Sequence, residues 1–271
     1  MPESKKTFDK ESLKNVLFVA LSVCLVCSIV VSAAAVMLKP QQQVNQQLDR
    51  RQNILRAAGV LPEGSNVNAE GRTVEELFAD FEVRAVDLET GEFTDEVDPQ
   101  TFDPITAARE PEYSTGLSGE EDIATIGRRE NISVVYIRRN DRGEIDRLVL
   151  PVRGYGLWGT LFGYIALEGN LETIAGLGFY AQKETPGLGG EVGNPLWKAQ
   201  WPGVSLYNEE GDVSVRLVKN RSPDGSPQAR YEVDALSGAT LTTRGVENLV
   251  RFWMGDQGFG PFIENLLQSA S

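Results

Sequence analysis

Ile132-Ser133-Val134-Val135-Tyr136-Ile137-Arg138 and Ile145-Asp146-Arg147-Leu148-Val149-Leu150-Pro151-Val152 flank the tetrapeptide Asn140-Asp141-Arg142-Gly143. Two strand-like runs around a turn-forming segment read as a hairpin. Toward the C-terminus the strand pattern continues at Thr160 to Leu167, Ile174 to Ala181, Val204 to Tyr207, Val213 to Lys219 and Tyr231 to Leu236. Gly-, Asn-, Asp- and Pro-rich turns separate these runs. Val246, Leu249, Val250 and Trp253 fall at i, i+3, i+4 and i+7, the spacing of an amphipathic helix starting near Arg244. Gly255 to Pro261 reads as a turn, and a short helix runs on through Leu266. The expected class is α+β, with a mixed, mainly antiparallel sheet.

Toward the N-terminus the pattern changes. Residues 60–130 carry 19 acidic and 5 basic side chains, so the net charge of −13 is concentrated there. This stretch is expected to form helix (Val74 to Phe81), loops around Pro99, Pro104 and Pro111, and one or two strands. Asn15 to Leu38 contains no charged residue, and its 24 residues are long enough to cross a bilayer; as a helix they span roughly 36 Å. Lys5, Lys6, Lys10 and Lys14 precede it, whereas Lys39 alone is basic in the next ten residues, which favours a cytoplasmic N-terminus and an exported body. The rival is a cleavable signal peptide cut near Ala33-Ala34-Ala35, but the apolar run exceeds a signal h-region. Pro40 is expected to end the span, and Gln41 to Ala58 to form a juxtamembrane amphipathic helix. The division is therefore 1–14 cytoplasmic, 15–38 transmembrane, 39–130 packing on the domain, and 131–271 the domain proper. Cys24 and Cys27 lie inside the span, where a small-residue packing stripe is a simpler reading than a redox or metal site.

Histidine is absent from the chain. That excludes Ser-His-Asp and Cys-His catalysis and histidine-ligated metals, so chemistry here must be carried mostly by a cofactor. The strong acidity also argues against a nucleic-acid surface.

Three stretches and one lysine bear on that cofactor. Asp234-Ala235-Leu236-Ser237-Gly238-Ala239-Thr240 puts a hydroxyl residue at the end of a small-residue turn just before the amphipathic helix. With Thr242 or Thr243 as N-cap, free N–H groups would face Thr240 and suit a phosphate, though an ordinary helix-capping turn has the same core sequence. Gly154-Tyr155-Gly156-Leu157-Trp158-Gly159 fits a dinucleotide fingerprint, but a strand and not a helix follows it, so its glycines read as a tight turn or a close approach to a ligand. Trp158 packs either on an aromatic ligand or in the core. Glu184-Thr185-Pro186-Gly187-Leu188-Gly189-Gly190-Glu191 is an irregular Gly/Pro loop suited to a planar ligand or to a plain surface turn. Lys219, at a strand end, reads as a counter-charge for a phosphate or reduced ring, or as an ordinary surface lysine.

The first of these stretches resembles the flavin-attachment signature D-x-x-[ST]-G-A-[ST] of membrane-bound FMN-binding redox subunits. E-T-P-G-L-G-G-E resembles a loop that lies beside the flavin in that family. Trp253-Met254-Gly255-Asp256-Gln257-Gly258-Phe259-Gly260-Pro261-Phe262 resembles the ending of one branch, the C subunits of sodium-translocating NADH:quinone oxidoreductases. The resemblance implies one FMN bonded through its phosphate to Thr240, presented by Asp234, Ser237 and Gly238 and flanked by Ala239 and Thr243. It implies further FMN contacts from Gly156, Trp158, Glu184, Thr185, Gly187, Leu188 and Lys219. Gln182 stands where members often carry histidine, which puts that residue's role in doubt here. The implied setting is a bacterial inner-membrane complex that oxidises NADH, reduces ubiquinone and exports Na⁺, with the FMN domain in the periplasm. Implied partners are the other subunits and a flavin transferase. The alternatives are the flavoprotein of the related ferredoxin-linked complex, or a membrane-tethered domain without flavin.

Overall fold

Leu13–Ala57 forms one helix, α1, in the computed structural model, which describes residues 13–270. Lys5, Lys6 and Lys10, on which the expected orientation partly rests, lie outside the described residues. The chain divides into two compact units, one ending at Asp49 and one running from Arg50. In the first, α1 is apolar and exposed over a length sufficient to cross a membrane. Pro40 does not end the helix, as expected, but lies within it. Proline removes one N–H and crowds the preceding turn, yet its fixed φ is helical, so the ladder resumes beyond it.

The second unit begins with the last turns of α1, whose Ile54 and Leu55 are fully buried. Thr73 and Glu76 make a reciprocal capping box that starts α2 (Val74–Phe78). This helix stops short of the expected Phe81 because Phe81 opens a strand. That strand, β1 (Phe81–Asp87), is followed by β2 (Glu92–Thr94), α3 (Pro104–Ala107), β3 (Ser114–Gly116) and β4 (Arg128–Glu130). The acidic region thus supplies four strands where one or two were expected.

The hairpin read from sequence is present. β5 (Ile132–Arg139) and β6 (Ile145–Tyr155) pair antiparallel with Tyr136 opposite Val149, and Gly143, at φ +81°, closes the turn. β7 (Thr160–Glu168) and β8 (Ile174–Ala181) extend the sheet, whose order is β2-β1-β5-β6-β7-β8 with every pairing antiparallel. The expected runs at 204–207, 213–219 and 231–236 are mostly irregular. A parallel pair, β9 (Arg216–Val218) and β10 (Glu232–Asp234), is what they contribute, with isolated bridges Thr173 to Ser205 and Tyr207 to Val213. Between β8 and β9 lie α4 (Pro195–Lys198) and the loop before it; α5 (Thr240–Met254) and α6 (Gly260–Ala270) close the chain.

Alternation along the strands buries both faces of the sheet. Val135, Ile137, Leu148, Leu150, Leu161 and Ile165 face a core shared with Val246, Leu249, Val250 and Trp253 of α5. Tyr136, Tyr164 and Tyr180 line the other face, with centroids 6.1 and 5.3 Å apart, and Arg50 donates to the Tyr136 hydroxyl at 2.6 Å. Gly154 and Gly245 let α5 sit directly on β6: a Cβ at Gly154 would lie 2.8 Å from Leu249 Cβ, and one at Gly245 2.4 Å from the Tyr155 carbonyl.

Candidate functional site

The parallel pair β9–β10 ends at the loop that carries the Asp234–Thr240 stretch. Ala235 N–H donates to the Val218 carbonyl at 2.8 Å, which sets exposed Lys219 beside the start of that loop. Asp234 has both main-chain groups engaged by side chains from around α4. Its N–H donates to Gln200 Oε1 at 3.0 Å, and its carbonyl accepts from Trp197 Nε1 at 2.8 Å. Asp234 remains exposed, and so does Ser237. Among the described residues neither side chain bonds to Thr240, so the expected hydrogen bonds from Asp234 and Ser237 to it are not present. Gly238 makes the bend at φ +73°, a conformation glycine adopts without Cβ strain.

Thr240 is the first residue of α5, and its exposed side chain has no hydrogen bond among the described residues. This corrects the expected helix start near Arg244 and the expected N-cap role of Thr242 or Thr243. The N-cap is Ala239, which offers no side-chain acceptor. Thr243 is inside the helix and buried. Its hydroxyl donates to the Ala239 carbonyl at 3.0 Å and accepts from Leu236 N–H at 3.1 Å, fastening the loop to the first turn. The result is a helix start whose leading N–H groups are left to solvent or a ligand, the arrangement that suits an anion.

Glu184 links the other two stretches to this one. It is 5% exposed. Oε1 accepts from the N–H groups of Leu157 and Trp158 at 3.0 and 2.9 Å, and Oε2 accepts from the Thr242 hydroxyl at 2.5 Å. Gln182 Oε1 in turn accepts from Glu184 N–H at 2.5 Å. The approach is possible only beside glycine: a Cβ at Gly156 would lie 2.6 Å from Oε1, and one at Gly189 2.6 Å from Oε2. Gly156 N–H bonds the Gly159 carbonyl at 2.9 Å, so the glycine-rich stretch is the β6–β7 hairpin turn and no dinucleotide site. The Thr185 carbonyl closes its own loop by accepting from Leu188 and Gly190 N–H groups, and Gly187 turns it at φ +75°.

Around this node stand apolar side chains that water touches. Trp158 is 63% exposed, which removes the core reading for it, and Leu188 and Leu241 are 44% and 54% exposed. Leu188 Cδ2 would lie 3.1 Å from a Cβ at Gly238, so the Gly/Pro loop and the bend before Thr240 touch. The arrangement fits a phosphate at the start of α5 and a planar ring against an apolar rim. Thr242 as a partner of Glu184, and Trp197 and Gln200 as partners of Asp234, were not legible in the sequence. A cleft of about 700 Å³, lined among others by Tyr207, Arg216, Arg251 and Asp256, lies at the other end of α5.

A family model described as an FMN-binding domain matches residues 156–255, which takes in the Gly156 turn, the Glu184 loop and the Thr240 helix. The C subunit of the Na(+)-translocating NADH-quinone reductase of Pseudomonas aeruginosa is 49% identical over 259 residues, covering 95% of this chain and 97% of that protein. This chain belongs to that family of C subunits. A Yersinia pestis protein of the same name is 42% identical over 268 residues, covering 98% of each. The crystal structure of Shewanella oneidensis NqrC superposes with a TM-score of 0.73 at 35% identity, covering 84% of this chain and all of that one. The mixed α+β body that follows the long apolar helix is therefore the fold of this family.

Proposed function

We propose that the chain carries one FMN, esterified through its phosphate to the Thr240 hydroxyl, and relays electrons within a membrane complex that oxidises NADH, reduces ubiquinone and moves Na⁺. The observation that carries this reading is the exposed Thr240 hydroxyl, unpaired among the described residues, at the uncapped start of α5 beside a rim of exposed apolar side chains. Bound FMN would supply the electron-accepting and electron-donating chemistry. The chain supplies placement. Gly238 aims the acceptor outward, Asp234 is held by its backbone with its side chain exposed, and exposed Lys219, which follows the Val218 contact with Ala235, would offset phosphate charge. Trp158, Leu188 and Leu241 give a planar ring an apolar surface, while Thr185 and Gly187 shape the loop that bears Leu188. Ala239 and Thr243 fix the first turn.

A separate flavin transferase would install the group, with the body in the periplasm and the N-terminus in the cytoplasm. Membership of the family of C subunits supports the partners and the membrane setting. The test is intact mass and in-gel flavin fluorescence of the full chain co-expressed with the transferase. The wild-type chain should carry one FMN adduct and Thr240→Val none, with unchanged circular dichroism because an exposed hydroxyl is all that is lost. Fluorescence that survives Thr240→Val would place the attachment elsewhere.

A further inference from the structure

We propose that Glu184 is a fixed internal anion that holds the reduction equilibrium of the flavin toward the oxidised side. This rests on the FMN reading above. A buried carboxylate ordinarily recruits a cation, because an unpaired charge out of water is costly. Among the described residues, Glu184 has no Lys or Arg in ion-pair contact. Two main-chain N–H groups and the Thr242 hydroxyl hold it, with the positive end of α5 adjacent. Gly156 and Gly189 are both needed to admit it.

A glutamine could accept the same two N–H groups and still bond Thr242. The charge can therefore be removed while the linkage is kept. Thr242, which contacts the carboxylate, is two residues from Thr240. A flavin that takes up an electron without a matching proton becomes negative, and a fixed negative charge in the same partly buried site opposes that step. Of the charged groups on the flanking elements, Lys183, Lys219, Asp234, Arg244 and Arg251 are exposed, Glu191 accepts from Asn194 Nδ2 at 2.6 Å, Glu247 accepts from Leu217 N–H at 2.8 Å, and buried Arg153 is paired with Glu130 at 2.5 Å. Solvent and salt screen the exposed groups far more than they screen Glu184, and the Arg153–Glu130 pair carries no net charge.

The experiment uses the full chain in detergent with its FMN adduct confirmed by intact mass, as wild type, Glu184→Gln and Thr242→Val. Spectroelectrochemical titration at neutral pH should show Glu184→Gln shifted toward the reduced flavin by roughly tenfold per electron. Thr242→Val keeps the charge while cutting the same tie, so it should show no shift or a small one in the opposite direction. A site that merely loosens would move both variants the same way. In the wild type, the reduced flavin should also keep its proton to a higher pH than free FMN does at equal ionic strength. An adduct-bearing Glu184→Gln chain with the wild-type potential overturns the proposal, as does Thr242→Val matching Glu184→Gln. Should Glu184→Gln fail to fold, a reduced wild-type flavin that ionises where free FMN does overturns it equally. A wild-type chain without the adduct sinks the functional reading, and this proposal with it.

Discussion

At the scale of single residues, Gly238 and Gly189 show how differently two glycines of similar sequence context can be used. Gly238 needs its left-handed φ, and its nearest neighbour is a flexible leucine side chain at 3.1 Å. Gly238→Ala should lower stability in urea by about 1–2 kcal/mol, the cost of that conformation for an L side chain. Gly189 needs space, since a Cβ would lie 2.5 Å from Thr242 Oγ1 and 2.6 Å from Glu184 Oε2. Gly189→Ala should therefore cost more, on the order of 1–3 kcal/mol of overpacking, and should break the Glu184–Thr242 bond. A midpoint for Gly189→Ala no lower than that of Gly238→Ala would count against this reading. The motif glycines were legible in the sequence, but their partners were not. Glu184 meets Leu157 and Trp158 across 27 and 26 residues, and Thr242 across 58, contacts that no local pattern announces.

Among the secondary-structure elements, the sheet's outer face carries a consequence for alkaline stability. Burial pushes the phenols of Tyr136, Tyr164 and Tyr180 above their ordinary range, with Arg50 opposing this at all three. The unfolded chain ionises its tyrosines near pH 10 while the folded one retains these protons. Stability should therefore be unaffected by these groups below about pH 10 and fall as pH rises beyond it. Tyr164→Phe removes one such proton, so a plot of urea midpoint against pH should fall less steeply for that variant. The strands bearing these tyrosines, β5, β7 and β8, were readable because their apolar runs are long. β1 carries the period-2 strand signal, Phe81, Val83 and Ala85 alternating with Glu82 and Arg84, and was obscured by the helix expected through Phe81. β2, β3 and β4 are three residues each, too short to show a period. The start of α5 was misplaced for a related reason. Its helical spacing of apolar residues begins at Val246, six residues after the helix does.

For the molecule as a whole, α1 belongs to two different environments. A chain beginning at Gln41 should stay dispersed without detergent and melt in one transition, since the unit from Arg50 has its own core. A chain beginning at Val60 loses the Arg50–Tyr136 bond with Ile54 and Leu55, both fully buried. Each of those two side chains is worth roughly 2 kcal/mol of burial, so this shorter form should melt well below the first. Equal melting temperatures would mean that the last turns of α1 are dispensable. α5 opens at Thr240 behind an alanine. The polypeptide leaves that terminus unfinished, and an ester-linked phosphate would supply the missing acceptor oxygens. On the proposed reading the FMN would act as structural mortar as well as electron carrier. Calorimetry of modified and unmodified protein should show the former unfolding at the higher temperature, with slower amide exchange at Leu241 and Thr242.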